Sequence, residues 1–402
     1  MTHAAESGAQ YIGSRSPRRM SQTQRTLRIA LIGCGQIADA HLQEIARLRR
    51  ASVVAVCDVY RDLAYQAAAR FGNPAIYDDH RLMLGEVRPD VVHVTTPAHT
   101  HHRLAIEALR TGCHVYVEKP LALDVAEVDE IMTAAEAADR LVCVGHDQLY
   151  DPAWLECRRR IEAGEIGPVR HVESVLGYPL SGQFGALVAA DESHWVRRLP
   201  GGLFHNTISH PLYRITELLP DESPVIDAQW FARGEHEFPT ELRVHLRGRD
   251  VTGSLLFDTG IEPQRVTRIY GAHGSLTVDL DARTVAVRRN PDLPGAFGRI
   301  ESPWRDWRQG ARSFRRNVWK FVRSDLHYFA GMRGLIEAFC TAILSGSPPP
   351  IAFDEMRRVT RIMDEIFQQC RERTDTSALH PERAPCGQRE PELVEVAGAL
   401  TN

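Results

Sequence analysis

The sequence predicts an α/β chain in two parts. A doubly wound parallel sheet comes first, then an α+β domain with a large, open, mainly antiparallel sheet. Three observations carry this. Short apolar runs alternate with helical periodicity from Leu27 to His146, the pattern of a parallel sheet with helices on both faces. A glycine motif stands between the first run and the first helical pattern. After "DPAWLECRRRIEAGEIG" the alternation gives way to consecutive extended runs, as an antiparallel sheet requires.

The elements follow in order. Leu27 to Ile32 is an apolar strand, and Ile37, Ala40, Ile45 and Leu48 recur at helical spacing behind it. Between them lies Gly33-Cys34-Gly35-Gln36-Ile37-Ala38, a G-x-G-x-x-A turn. Gly33 permits the tight turn, Gly35 lets a pyrophosphate approach the backbone, and Ala38 lets the helix press on the strand. Gln36 and Ile37 open that helix, where free N–H groups and the positive dipole end receive phosphates. The next strand, "SVVAVCD", ends at Asp58, about 20 residues past the motif, as dinucleotide binding asks. An acid there accepts hydrogen bonds from ribose hydroxyls and repels a 2′-phosphate, which favours NAD over NADP.

Four further strands are expected near Ala75–Tyr77, in "DVVHVTTP", in "CHVYVEK" and in "LVCVGH", with helices between them. Ligands of such a sheet bind outside the carboxyl ends of the strands. Pro97, Glu118, Lys119 and His146 all fall there. In the second part seven runs read as strands, from "VRHVESVLG" to "TVAVRR", with "PLYRITELL" as a helix against them. Pro211 fits the first turn of that helix, which would put His210 at its cap.

The expected boundaries are a tail over 1–26, a nucleotide-binding domain over 27–147, a substrate domain over 148–372 whose last helices return towards the first domain, and a tail over 373–402. The N-terminal tail has no apolar core and reads as disordered, not as a signal. The chain has 402 residues, 43% apolar and 25% charged, with a net charge of −4, which gives no general reason to expect nucleic acid or an anionic membrane as a partner. No run of 18 apolar residues suggests a membrane span. The eight cysteines form no C-x-x-C pair, so a reducing, cytoplasmic setting is expected. His99, His101 and His102 cluster without metal-ligand spacing, and no metal is expected.

With "GCGQIA", "TPAHTHHRLAIEALRTGCHVYVEKP" and "GGLFHNTISHPLY", the chain resembles the Gfo/Idh/MocA oxidoreductases from roughly Leu27 to Gln369. The resemblance implies an NAD-binding Rossmann domain and hydride transfer to or from a sugar, inositol or nucleotide-sugar carbon. It implies catalytic roles for the E-K-P lysine, Lys119, and for His210. It implies a cofactor site of Gly33, Gly35, Gln36, Ile37, Asp58, Thr96, Pro97, His101, Glu118 and Lys119, and substrate contacts from Lys119, Asn206 and His210. The expected partners are a sugar or nucleotide-sugar substrate and a further copy of the chain through the C-terminal sheet. Asn206 stands where the family's G-G-x-x-x-D-x-G-x-H carries Asp. An amide cannot carry charge or take a proton at neutral pH. Two other readings fit the motifs: an NAD-binding regulator without turnover, and an NAD-dependent glycosidase of the same fold.

One segment lies outside these motifs. In "WRDWRQGARSFRRNVWKFVRSD", Trp307, Ala311, Phe314, Val318 and Phe321 recur at helical spacing among arginines. The stripe is expected to pack inward and the cations to face water. A diphosphate-bearing substrate and an anionic membrane surface are the alternatives.

Overall fold

The computed structural model describes residues 25–233, 236–323 and 329–379. The expected N-terminal tail, up to residue 24, and everything beyond residue 379 lie outside the described residues. Among the described residues no helix is long and apolar enough to cross a membrane.

The first part alternates as expected: β1 Leu27–Ile32, α1 Ala38–Ala46, β2 Ala51–Cys57, α2 Arg61–Arg70, β3 Ala75–Tyr77, α3 His80–Val87, β4 Val91–Val94, α4 His101–Arg110, β5 His114–Val117, α5 Val125–Ala138 and β6 Val142–Val144. The six strands are parallel, in the order β3-β2-β1-β4-β5-β6. All of β4 is buried, because helices cover both faces and leave no room for polar alternation. The chain builds outward from β1 to β3 and then returns to β1's other side. A crevice therefore opens above the carboxyl ends of β1 and β4.

The second part holds α6 Pro152–Glu162, β7 Val169–Gly177, α7 Gln183–Ala190, α8 Gly202–Thr207, α9 Ser209–Thr216, β8 Val225–Phe231, β9 Glu241–Arg247, β10 Thr252–Asp258, β11 Gln264–Gly271, β12 Gly274–Asp279 and β13 Thr284–Arg289. The seven strands form one sheet in the order β13-β12-β11-β7-β10-β9-β8. β7 inserts between β10 and β11 and runs parallel to β10; the other pairings are antiparallel. Burial alternates along β9 and β10, so one face is covered. There α9 buries Leu212 and Ile215 completely, each worth about 1.5–3 kcal/mol against exposure.

Three helices finish the chain: α10 Ala296–Val322, α11 Ala330–Ser345 and α12 Phe353–Leu379. α12 returns to the first part, where Arg357 holds Asp129 of α5 through two bonds of 2.6 and 3.0 Å. α11 presses so closely on the turn after β6 that a Cβ at Gly331 would stand 2.1 Å from the Asp147 carbonyl. Both outer edges of the mixed sheet are closed by a glutamine amide. Gln369 of α12 accepts from Ala228 N at 3.1 Å and donates to Ile226 O at 3.1 Å. Gln309 of α10 accepts from Val287 N at 2.8 Å and donates to Val287 O at 2.9 Å. Each amide satisfies backbone groups that an open strand edge would present to another chain.

Three expectations need correction. The helix α12 runs past the boundary expected at residue 372, to Leu379, and Arg373 and Thr374 bond Ala228 O and Trp230 Nε1. His210 is not a cap, because α9 begins at Ser209 and Pro211 is its third residue. Ile208 is itself helical and joins α8 to α9 with almost no break. The aromatic stripe of α10 does not pack inward. Its polar side does, through Gln309, through Arg316 to Glu156 at 2.6 Å, and through Asn317 to Ala282 O at 2.8 Å. Trp307, Phe314 and Phe321 face solvent.

Candidate active site

The glycine turn forms one lip of the crevice. Gly33 has φ +99°, and a Cβ there would lie 2.7–2.8 Å from Thr95 and Thr96, so only glycine fits. Nothing lies within 4 Å of the place a Cβ would take at Gly35. The N–H groups of Gly35, Gln36 and Ile37 have no partner among the described residues. Open space over three unpaired N–H groups at a helix start fits a pyrophosphate. Asp58 sits beside this turn, where its carboxylate accepts from Cys34 N at 2.7 Å and Tyr60 N at 2.8 Å. Its first role is thus to tie the turn to the end of β2, and each oxygen keeps a further lone pair for a ribose hydroxyl. Burial pushes the Cys34 thiol up to about 12, so it stays protonated.

The ends of β4 and β5 form the floor. Thr96 and Pro97 follow β4, and the Thr96 hydroxyl meets that of Thr100 at 2.6 Å. His101 is buried behind them, with Nε2 2.8 Å from Thr96 O and Nδ1 2.8 Å from Pro120 O. It clips the loop after β4 to the loop after β5. Burial lowers its pKa, so the neutral ring donates to one of those carbonyls at a time. Glu118 is buried as well, accepting from His41 Nε2 at 2.9 Å and from Lys119 N at 3.2 Å. His41 in turn meets His93 Nδ1 at 3.0 Å. Burial raises the Glu118 pKa, but the His41 hydrogen bond and the charges of His41 and Lys119 outweigh it, and the carboxyl ends below its ordinary value. The sequence reading expects cofactor contacts from both His101 and Glu118. The structure sets His101 on backbone carbonyls and Glu118 on His41 and its own chain.

Lys119 points across the crevice. The Lys119–Pro120 bond is cis, and Nζ donates to the backbone carbonyl of Asn206 at 2.8 Å. Burial lowers its pKa, against the charges of Glu118 and Asp147. Asn206 therefore meets the lysine through its main chain, one helical turn before His210. The imidazole of His210 lies 2.8 Å, through Nδ1, from the Tyr213 hydroxyl. That hydroxyl donates to Asp147 Oδ1 at 3.4 Å and accepts from Gln148 N at 3.2 Å. With its one proton so used, it receives Nδ1–H from His210, and Nε2 is left as an acceptor. Burial and then the charges of Lys119 and Arg214 hold His210 well below its ordinary value, so the ring is neutral at pH 7. Burial, reinforced by Glu118, pushes Asp147 up to about 6.

The sequence reading missed this supporting chain. Asp147 and Gln148 follow His146 at the end of β6, a position already marked by topology, but nothing in "GHDQLY" shows that Tyr213 will meet them. It also missed Arg214, buried between Gln148 and Ser174. The three clustered histidines part company: His101 bridges carbonyls, His102 Nε2 meets Glu130 at 2.9 Å, and His99 lies against Trp195.

Known proteins agree with this architecture. Residues 27–146 match the profile described as "Oxidoreductase family, NAD-binding Rossmann fold", and residues 154–277 match the "GFO/IDH/MocA C-terminal domain". The chain is 31% identical over 152 residues to D-glucoside 3-dehydrogenase of Escherichia coli, which is 38% of this chain and 43% of that protein. It is 35% identical over 147 residues to inositol 2-dehydrogenase of Acidothermus cellulolyticus, 36% of this chain and 43% of the relative. These alignments thus span less than half of each relative. Among solved structures, the WlbA dehydrogenase of Bordetella pertussis, in complex with NADH and UDP-GlcNAcA, superposes with a TM-score of 0.68 at 20% identity, over 87% of this chain and 96% of that one. Levoglucosan dehydrogenase, in complex with NADH and levoglucosan, gives 0.70 at 18% identity, over 87% and 98%. At such identities these two speak for the fold. Two matched profiles in chain order, covering more than half of the 402 residues, together with the E-K-P lysine reaching the second domain, lead to one conclusion: the chain belongs to the GFO/IDH/MocA family of oxidoreductases.

Proposed function

We propose that the protein is an NAD-dependent dehydrogenase acting on a secondary alcohol of a sugar, an inositol or a nucleotide sugar. The observation that carries this is the lysine on the Asn206 carbonyl. An amine with a pKa lowered by burial can lose its proton, still donate to that carbonyl, and keep its lone pair free. Bound NAD would supply the hydride acceptor. Gly35, Gln36 and Ile37 would hold its pyrophosphate, and Asp58 its ribose hydroxyls. The substrate C–H bond breaks with its electron pair leaving as hydride, and the hydroxyl proton passes to Lys119 Nζ, so a ketone forms. His210 Nε2, fixed by Tyr213 and Asp147, accepts a hydrogen bond from the same or the neighbouring hydroxyl and orients it. Asn206 carries no charge and takes no proton, so the proton transfer rests on Lys119 and the orientation of the hydroxyl on His210.

The test incubates the full chain with NAD and a panel of sugars, inositols and nucleotide sugars, and follows the absorbance of reduced nicotinamide. Substrate-dependent reduction that disappears in Lys119→Ala is the expected result. Nucleotide binding without turnover of any member would favour a regulator. Release of an aglycone with no net reduction would favour a glycosidase.

A further inference from the structure

The helix α10 is inside out. Ile300, Trp304, Trp307, Phe314, Val318 and Phe321 lie on one face, and each is between 43% and 72% exposed. The opposite face is polar and is the one bound to the body, through Gln309, Arg316 and Asn317. The outward ridge is about 40 Å long at 1.5 Å per residue. At about 100 Å² each, its four aromatic residues give a patch of roughly 400 Å², the size of the largest apolar patches on monomers, which are often functional.

Charge selects what covers it. Residues 296–323 carry eight Arg and Lys against two Asp and Glu, a net +6, in a chain whose net charge is −4. The rest of the molecule is therefore acidic, and the positive charge is gathered on this element. Arg299, Arg308, Arg312 and Arg315 are exposed and form no ion pair among the described residues. At about 100° per residue, Arg308 and Arg315 flank the apolar stripe on one side and Arg299 on the other. A second copy docking by the same stripe would set these cations against their own counterparts, a like-charge arrangement that costs stability. A layer of anionic headgroups over hydrocarbon offers the opposite match. Arginines meet the anions, and aromatic side chains enter the boundary where Trp is favoured.

We propose that the outward face of α10 is a docking surface for an anionic lipid bilayer, with the helix lying flat in the headgroup region. The polar bonds to β13 and α6 hold it parallel to the surface while the crevice stays on the body of the protein. This rests on the exposed stripe and its charge, independently of the reaction assigned to the crevice.

The test is flotation of the full chain with vesicles of phosphatidylglycerol and phosphatidylcholine in equal parts, against vesicles of phosphatidylcholine alone. The protein should float with the first and not the second, tryptophan emission should shift to the blue, and raised salt should release it. Because the altered side chains are exposed, the variants should keep the far-UV spectrum and the unfolding temperature. Arg308→Glu with Arg315→Glu should weaken binding about a hundredfold or more, taking roughly one kcal/mol per charge near the surface. Trp307→Glu with Phe314→Glu should abolish it. No flotation with anionic vesicles would overturn the proposal. So would flotation unchanged by Trp307→Glu with Phe314→Glu. Self-association in sedimentation that this pair removes, without vesicle binding, would assign the face to a second copy instead.

Discussion

At the ends of β5 and β6, polar and charged side chains are withdrawn from water: Glu118 is buried against His41, while Lys119 on the Asn206 carbonyl and Asp147 beside Tyr213 are half-buried. Along α10, aromatic side chains are exposed while glutamine, arginine and asparagine face the body. Both regions go against the ordinary sorting of polar outward and apolar inward, but they do so at different cost. In the crevice each polar group loses water and must be repaid by specific partners. Loss of water shifts protonation there: it pushes Lys119 down, against the charges of its partners, and Asp147 up. On the outward stripe of α10 nothing is desolvated, and exposing an apolar side chain only forgoes the gain of burying it. The first region should therefore respond sharply to single-atom changes, and the second hardly at all until a partner covers it.

The largest expected effect is in the crevice. Lys119→Ala should lower kcat by about 10²–10⁴, the usual worth of a positioned acid–base group, while NAD affinity, measured by titration, stays nearly intact. Lys119→Arg should be no better, since a guanidinium keeps its proton. Near-normal turnover by Lys119→Ala would transfer the proton step to His210.

Asp147→Asn sharpens the contrast, because it should trade activity for stability. The folded pKa of about 6 lies above the ordinary 3.8. Ionising this half-buried carboxyl thus costs the native state, and the cost is absent at low pH and complete above about pH 6. Urea unfolding should show the variant more stable by up to about 3 kcal/mol near pH 8, with the gain gone below about pH 4. A gain independent of pH would show that the carboxyl is not the source.

Tyr213→Phe removes one oxygen from the same chain. It takes the acceptor from His210 Nδ1 and the donor from Asp147. If that arrangement is worth about 1.5–3 kcal/mol, kcat should fall about tenfold to a hundredfold, and the acid limb of the pH profile should move. A fall in kcat with an unmoved profile would reduce Tyr213 to a packing role.

The smallest effect belongs to α10. Phe314→Ser should change unfolding stability in solution by no more than about 0.5 kcal/mol, as exposed sites do. A loss of several kcal/mol would mean that the stripe is packed in the free protein, and the comparison of the two regions would fail.

Much of the architecture was legible beforehand. Six apolar runs with helices between them, a glycine turn after the first, and an acid at the end of the second dictate a parallel sheet and the side on which ligands bind, because strand pairing and crossover handedness leave few other arrangements. Seven consecutive extended runs in the second part predict a mainly antiparallel sheet with a helix against it. The E-K-P lysine was placed at a strand end by its position in the chain alone. Periodicity also found the apolar stripe of α10, but could not say which way it faces. A stripe at helical spacing defines a face, and only the neighbours of the helix decide whether that face turns inward.

The residues themselves thus determined the elements, the glycine turn, the strand end that bears Lys119 and the sharp segregation of charge and aromatics on α10, since these depend on local sterics and spacing. Tertiary structure alone decided the rest. It placed β7 between β10 and β11, brought Asn206 O to Lys119 across 87 residues of chain, and set Tyr213 between His210 and Asp147. It also turned the aromatic face of α10 away from the body. The physical reason is common to all four. Contacts between distant segments are chosen by the total packing and hydrogen-bond satisfaction of the fold, a balance that no short stretch of sequence contains.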